Sequence, residues 1–277
     1  MIVVDDCSTK HTGELENLKK EFQNVEWYST EKNGGGGKAR NIGLEKAKGK
    51  YIIFADADDY FLPEFNNILD HYGKDHNRDL IFFNSISKFD DTDLPANRTR
   101  RVNDYFLQYK KNPTKSSNLL KYSFGEPWGK IINYGIIKNN NIQFDETPIH
   151  NDTKFSYLIG FHSKSVDVYP INGYCVTDRI SSTSKNINWK NLNYKADIFS
   201  KKAMFFKEND ITTFDPIIFT PFLIAVSKLE FNKFNDFYKT YRQHKLSTTD
   251  IVLGMIKSSW FYLSNNFLGL ISKYRKI

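Results

Sequence analysis

The residues best placed by type and spacing to do chemistry lie between Asn33 and Phe65, in NGGGGKARNIGLEKAKGKYIIFADADDYFLPEF. Asp56, Asp58 and Asp59 follow directly on the apolar run Tyr51 to Ala55. Such a run reads as a strand buried on both faces. The carboxylates then sit at the carboxyl end of a buried strand, where open α/β sheets bind ligands. Three clustered negative charges repel one another and call for a cation or hydrogen-bond donors. A hard divalent ion takes oxygen ligands, and a diphosphate beside it would complete a neutralised cluster. Upstream, Gly34 to Gly37 read as a loop whose backbone can approach a ligand closely, with Lys38 and Arg40 immediately after it. Alone, a glycine run is more often a flexible loop, and an acidic pair a solvated helix start. Joined by a basic helix start and a buried strand, they point to a phosphate and metal site.

Several elements must position these groups. Ile2 to Val4 form a short β-branched strand ending in Asp5-Asp6, and a helix follows from Thr12 or Gly13 to about Phe22, with Leu15, Leu18 and Phe22 on one face. Val25 to Tyr28 and Asp79 to Ser85 read as further strands. Strand and helix alternating at this rhythm predict an α/β fold with a mostly parallel sheet and helices on both faces. Asp90 to Asn118 is polar, carries Pro95 and Pro113, and reads as a surface excursion. Asp152 caps or opens a helix; Ser165 to Ile171 and Tyr174 to Arg179 read as two strands, and Ser181 to Ser184 as a polar loop. The composition changes after about Asn186, which predicts a domain over 1–185 and a helical C-terminal region over 186–277.

The 277 residues suffice for a real core, and 40% apolar with 16% aromatic content excludes a disordered chain. The net charge of +7 suits an anionic ligand, a membrane surface or nucleic acid. Lys and Arg are scattered, and no nucleic-acid motif accompanies them, so no nucleic-acid partner is expected. Cys7 and Cys175 are far apart and form no metal-ligand spacing. The start, MIVVDD, lacks the features of a signal peptide, and no apolar run approaches the roughly 20 residues of a spanning helix. A cytoplasmic protein is the expectation. Ile251 to Tyr274 is amphipathic and basic; it packs on its own domain or makes a peripheral contact with the inner face of an anionic membrane.

Five stretches in order resemble the inverting family 2 glycosyltransferases of the GT-A fold: VVDDCSTKHT, NGGGGKARNIGL, YIIFADADD, PWGKIINYGIIKNNNIQFDE, and HNDTKFSYL with its later DRISSTS. The resemblance covers about residues 1 to 185. It implies transfer of a sugar from a nucleotide-diphosphate sugar, most simply a UDP-sugar, to a saccharide or lipid-linked acceptor, with Mg or Mn, in surface polysaccharide synthesis. It implies that Asp5 and Asp6 bind the donor, one of them reading the nucleobase, and that Gly36, Lys38 and Arg40 lie over the nucleotide and diphosphate. By the same resemblance Asp56 lies near the ribose and the metal, Asp58 ligates the metal, Trp128 meets the acceptor and Asp152 is the catalytic base. Arg179 matches a basic residue before a serine-rich loop, and is a diphosphate contact or an ordinary salt-bridging arginine. Core packing is the competing reading of Trp128, and a helix cap that of Asp152.

Two departures accompany the resemblance. The family pattern begins with a further strand and helix ahead of the VDD strand. The expectation is therefore an incomplete reading frame or a degraded copy, with a non-catalytic nucleotide-binding remnant as the alternative function. Asn151 precedes the base where the family carries Glu, which removes a charge beside it.

Overall fold

The computed structural model describes residues 1–72, 77–92, 94–178 and 188–264. The chain divides into two compact units, Met1–Lys88 with Leu94–Thr177, and Phe89–Asp93 with Asp178–Ile277.

The first unit opens with β1 (Ile2–Asp5), whose β-branched residues favour extended backbone. It pairs in parallel with β2 (Glu26–Ser29), in the register Ile2↔Glu26 to Asp5↔Ser29. A parallel pair needs a crossover, and α1 (Thr12–Glu21) supplies it. The expected apolar face of α1 buries nothing: Leu18 and Phe22 are both exposed. A two-stranded ribbon is a narrow platform for a helix. Next come α2 (Gly35–Lys46), β3 (Tyr51–Ile52), β4 (Tyr60–Phe61), α3 (Phe65–Tyr72) and β5 (Leu80–Phe89). The unit continues with α4 (Arg100–Lys111), α5 (Pro113–Ser123), β6 (Lys130–Asn133), α6 (Tyr134–Asn139), α7 (Thr153–His162) and β7 (Val166–Asp178).

A five-stranded sheet in the order β3-β6-β5-β7-β4 carries the core. Its β3–β6, β4–β7 and β5–β6 ladders are antiparallel. The α/β class stands, but the sheet is mixed rather than mostly parallel. The reason lies between β5 and β6, where α4 and α5 pack on each other; a return of that length can bring a strand back from either end. The polar stretch after Asp90 is likewise not only surface. Val102, Tyr105 and Phe106 recur at helical spacing among its charges, and all three are buried. The two strands expected after Ser165 are one, β7, with Gly173 inside it. A Cβ there would sit 2.7 Å from Ile68 and 2.9 Å from Phe83, so the strand passes directly over the core.

Leu80 to Phe83, Ile132, Phe155, Ile159, Tyr174 and Val176 form the centre of that core, each no more than 1% exposed. Phe54 meets Phe144 and Phe155 edge-on, and Phe144 stacks on Phe155 at 3.9 Å. This aromatic cluster joins the strand before the acidic turn to the start of α7.

The second unit is helical, as expected: α8 (Trp189–Glu208), a 3-10 turn at Pro216–Phe219, α9 (Thr220–Ser227), α10 (Phe231–Gln243) and α11 (Thr248–Ser264). Leu192, Ala196, Phe199, Phe222, Phe237, Tyr241 and Ile251 fill its core. Inside it Lys202 and Asp215 form a buried ion pair at 2.6 Å, and Lys202 also lies over the Phe206 ring. Removing either partner would strand a charge in the interior. The amphipathic C-terminal reading is helical through Ser264, and its remainder lies outside the described residues. Among the described residues no helix is long and apolar enough to cross a membrane.

Helix α7 approaches α5 closely, because a Cβ on Gly160 would fall 2.2 Å from the Lys121 carbonyl oxygen. Gly160→Ala is therefore expected to lower stability by about 1–3 kcal/mol, the usual cost of overpacking. Gly13→Ala, in open space on α1, is expected to be neutral or slightly stabilising. Urea midpoints of the two variants check this; equal midpoints would refute the close helix crossing.

Candidate active site

The glycine run is not the loop that its composition suggests. Gly35 to Gly37 form the first turn of α2, with Gly34 as its N-cap. Two constraints require glycine here. Gly35 has φ +81°, and a Cβ on Gly37 would lie 2.2 Å from the Asp145 carbonyl oxygen and 3.1 Å from Asn151. The glycines thus let α2 press against the segment that leads to α7.

Asp6 caps this helix from across the ribbon. Its Oδ1 accepts from the Gly34 N–H at 2.9 Å and from the Thr30 hydroxyl at 2.9 Å, and its Oδ2 accepts from the Gly35 N–H at 2.6 Å. Desolvation pushes its carboxyl up, but these donors and Lys38 outweigh it and hold the group below the usual carboxylate range. Asp5 accepts from the Ser8 N–H at 3.1 Å and closes the turn after β1. Both aspartates read as nucleobase contacts therefore make structural hydrogen bonds, Asp6 through both oxygens. Gly36 lies against Arg40: a Cβ there would come 3.1 Å from the guanidinium.

Arg40 is the junction of the site. Its Nη2 meets Asp56 Oδ1 at 2.5 Å, and its Nη1 donates to Asn151 Oδ1 at 3.1 Å. Its guanidinium also lies 5.5 Å from the Phe144 ring centroid. One side chain on α2 thus ties the acidic turn after β3 to the residue before Asp152. Asn151, which in sequence looked like a lost charge, is the neutral acceptor for the second arm of this fork.

The acidic turn is held from β7 as well. The Asp56 N–H donates to the Tyr174 hydroxyl at 2.9 Å, and Asp59 Oδ1 accepts from the Thr177 N–H at 2.8 Å. Tyr174 also hydrogen-bonds Asp59. Desolvation raises the Asp59 carboxyl to about 6, against the pull of the Thr177 N–H and the Tyr174 hydroxyl. Sequence reasoning missed Tyr174, and nothing in the local pattern of β7 marks it. Trp128 stacks on its ring at 5.9 Å, meets Phe124 edge-on, and is itself only 3% exposed. What its indole touches is the core beneath the acidic turn.

Asp58 is the exposed carboxylate of the turn. Among the described residues no three His, Cys, Asp or Glu side chains converge as a protein-only metal cage. With Asp56 bound to Arg40 and Asp59 to β7, this donor set fits a cation that takes one carboxylate from the protein and the rest of its shell from phosphate and water.

Asp152 occupies the N-cap of α7, yet its side chain makes no capping hydrogen bond. Burial raises its carboxyl to about 6, and Glu126 adds to the rise, against Arg40 and Lys130. A partly buried carboxylate tuned upward beside the acidic turn is suited to accept a proton. Arg179 and the serine-rich loop lie outside the described residues.

The sequence profile described as Glycosyl transferase family 2 matches residues 1–131. That stretch, just under half of the chain, is similar to glycosyltransferase family 2. It is 26% identical over 147 residues to the poly(ribitol-phosphate) beta-N-acetylglucosaminyltransferase TarS of Staphylococcus aureus, covering 53% of this chain and 24% of TarS. It is 24% identical over 218 residues to EpsH of Bacillus subtilis, a protein named as a glycosyltransferase, covering 76% of this chain and 61% of EpsH. This chain thus spans about a quarter of TarS and three fifths of EpsH. The crystal structure of TarS residues 1–349 with UDP-GlcNAc superposes with a TM-score of 0.53 at 18% identity, over 87% of this chain and 82% of that one. That likeness establishes the fold, which is GT-A.

The raised carboxyl of Asp152 has a consequence for stability. Its folded value, about 6, lies above the ordinary 3.8. The folded state thus holds this proton more tightly, and the contribution is fully present below about pH 4 and lost as pH rises through 6. Asp152→Asn removes the charging penalty. It is expected to stabilise the protein by about 1–2 kcal/mol at pH 7.5 and not at pH 4. Thermal melts of both proteins at the two pH values check this, and a gain independent of pH would refute it.

Proposed function

We propose that this chain transfers a sugar from a nucleoside-diphosphate sugar, a UDP-sugar foremost, to a hydroxyl of a saccharide or lipid-linked acceptor, with inversion, in the synthesis of a surface polysaccharide. The observation that carries this reading is the Arg40 fork. It brings the donor-side acidic turn and the base-side start of α7 into one cluster. The TarS structure with UDP-GlcNAc supports the choice of donor by likeness of fold.

The chemistry follows from the residues in place. Asp152 takes the proton of the acceptor hydroxyl as its oxygen attacks the anomeric carbon. The bond from that carbon to the diphosphate breaks on the opposite face, the nucleoside diphosphate departs, and configuration inverts. Bound Mg or Mn, with Asp58 as its protein ligand, would offset charge on the diphosphate. Arg40 holds the Asp56 turn in register with the base, and Lys38, one turn of helix from Gly34, adds positive charge over the donor. Arg179 is assigned to the diphosphate and Trp128 to the acceptor side by the family pattern.

Peripheral membrane contact belongs to this reading through α11. Val252, Leu253, Ile256, Trp260 and Leu263 are all exposed, Trp260 by 74%. At about 100° per residue they fall within one arc of about 100°, opposite buried Ile251 and Ser258. From Ile251 to Ile277 the chain has Lys257, Lys273, Arg275 and Lys276 and no acidic residue. The acidic residue of α11, Asp250, is paired with Lys207, and an apolar stripe followed by a basic tail matches an anionic lipid surface, where Trp sits at the headgroup level.

Two measurements test the proposal. Calorimetry with UDP and Mn2+ is expected to show metal-dependent binding that Asp58→Ala weakens tenfold or more, about 1.4 kcal/mol. A folded protein that binds UDP equally well with and without metal would overturn the metal assignment. In co-sedimentation, the full chain is expected to bind phosphatidylglycerol vesicles more than phosphatidylcholine vesicles, and Trp260→Ser with Ile256→Ser to release it. Equal, weak sedimentation with both lipids, or self-association lost in the same double variant, would point to a second copy on the stripe instead.

A further inference from the structure

The loop between α5 and β6, residues 124–129, carries a second carboxylate into the site. Glu126 Oε1 accepts from Arg101 Nη2 of α4 at 2.8 Å. Among the described residues its Oε2 is buried without a hydrogen-bond partner. The loop beneath it is clamped to α7. Lys130, itself only 2% exposed, donates to the Phe124 carbonyl at 2.7 Å, to the Glu126 carbonyl, and to Ser156 Oγ at 3.1 Å. Ser156 in turn donates to the Gly125 carbonyl, and its own N–H donates to the Asp152 carbonyl oxygen at 2.9 Å. So the backbone under Glu126 and the backbone of Asp152 are one hydrogen-bonded assembly.

Three charged groups bear on Asp152, each from a different element: Glu126 from this loop, Arg40 from α2 and Lys130 from β6. Two are cations, and cations weaken a carboxylate as a base by favouring its charged form. Glu126 opposes them. It can do so only while ionised. Desolvation pushes its own carboxyl up, and Arg101, with Lys130, outweighs that and holds it below the usual range.

We propose that Glu126 is a positioning residue for the base: fixed in its charged state by Arg101 and seated by the Lys130–Ser156 clamp, it keeps Asp152 able to take the acceptor's proton between two cations. This rests on the reading of Asp152 as the base. It gives a reason for keeping a charged carboxylate buried here, where Arg101 and the backbone N–H of Glu126 itself favour its ionised form.

The test is a 13C-carboxyl NMR titration of the full chain, with Asp152→Asn identifying the resonance. Wild-type Asp152 is expected to titrate at about 6. Glu126→Gln keeps an acceptor for Arg101 but removes the charge, and is expected to lower that midpoint by about one pH unit. Arg101→Met, which lets burial protonate Glu126, is expected to lower it as well, so the proposal stays testable if either variant folds poorly. A merely structural Glu126 would move neither midpoint, and an unmoved midpoint in a folded variant overturns the proposal. With donor and acceptor, the acid limb of kcat/KM is expected to shift with the midpoint while KM for the donor stays constant. A wild-type protein that titrates as expected and transfers no sugar would instead sink the transferase reading and leave the Glu126–Asp152 coupling standing.

Discussion

The site depends on one cation that cannot be discharged. Arg40 sits on α2 and donates in two directions, to Asp56 across the sheet end and to Asn151 ahead of α7. A guanidinium suits this position because its planar fork presents donors at fixed angles, and because its charge survives partial burial. Lysine would offer its donors from one compact point charge, without the rigid planar fork. Everything around Arg40 is arranged to let it reach. The first turn of α2 is glycine, so the helix can lie against the Asp145 carbonyl, and Phe144 offers its ring to the guanidinium.

The second constraint is how the acids are shared out. A site with Asp5, Asp6, Asp56, Asp58, Asp59, Glu126 and Asp152 would repel itself if all were equally available. The fold separates their tasks. Asp6 caps a helix, Asp56 answers Arg40, Asp59 ties the turn to β7, and Glu126 answers Arg101. Asp58 is left exposed on the turn, and Asp152 at a helix start that it does not cap. For neither of these two carboxylates, the ones proposed to do chemistry, is an ion pair seen among the described residues. The raised carboxyls of Asp59 and Asp152 show where the arrangement costs stability rather than adding to it.

Aromatic packing supplies the stiffness that such a site needs. Trp128 braces Tyr174, whose hydroxyl meets the Asp56 N–H and Asp59. The Phe54–Phe144–Phe155 cluster joins the strand before the acidic turn to the helix that carries Asp152. Offset and edge-on ring contacts at these separations are each worth about 0.5–1.5 kcal/mol beyond the area they bury. The two halves of the site are therefore joined twice, once by charge through Arg40 and once by rings beneath it.

Local pattern determined much of this by itself. The acidic turn after an apolar run, Asp152 at the head of α7 and the helical C-terminal region were legible, because each depends on neighbours within a few residues; the run itself is not the strand buried on both faces that its composition suggests, since β3 is only Tyr51–Ile52, half-buried at the sheet edge. Tertiary structure decided the rest. No local signal says that Gly35 to Gly37 are a helix turn rather than a loop; that follows from the Asp6 carboxylate arriving from β1 to cap them. The direction of β6 could not be read, because two packed helices precede it. Trp128 reads in sequence as a sugar platform or as core, and only the tertiary structure shows that it stacks on Tyr174, 46 positions along the chain. Asn151 looked like a missing charge until Arg40, 111 positions before it, supplied a donor. Residue type shows what a side chain can do, but which partner it meets is fixed by contacts distant in sequence, and those decide whether a carboxylate is a cap, a clamp or a base.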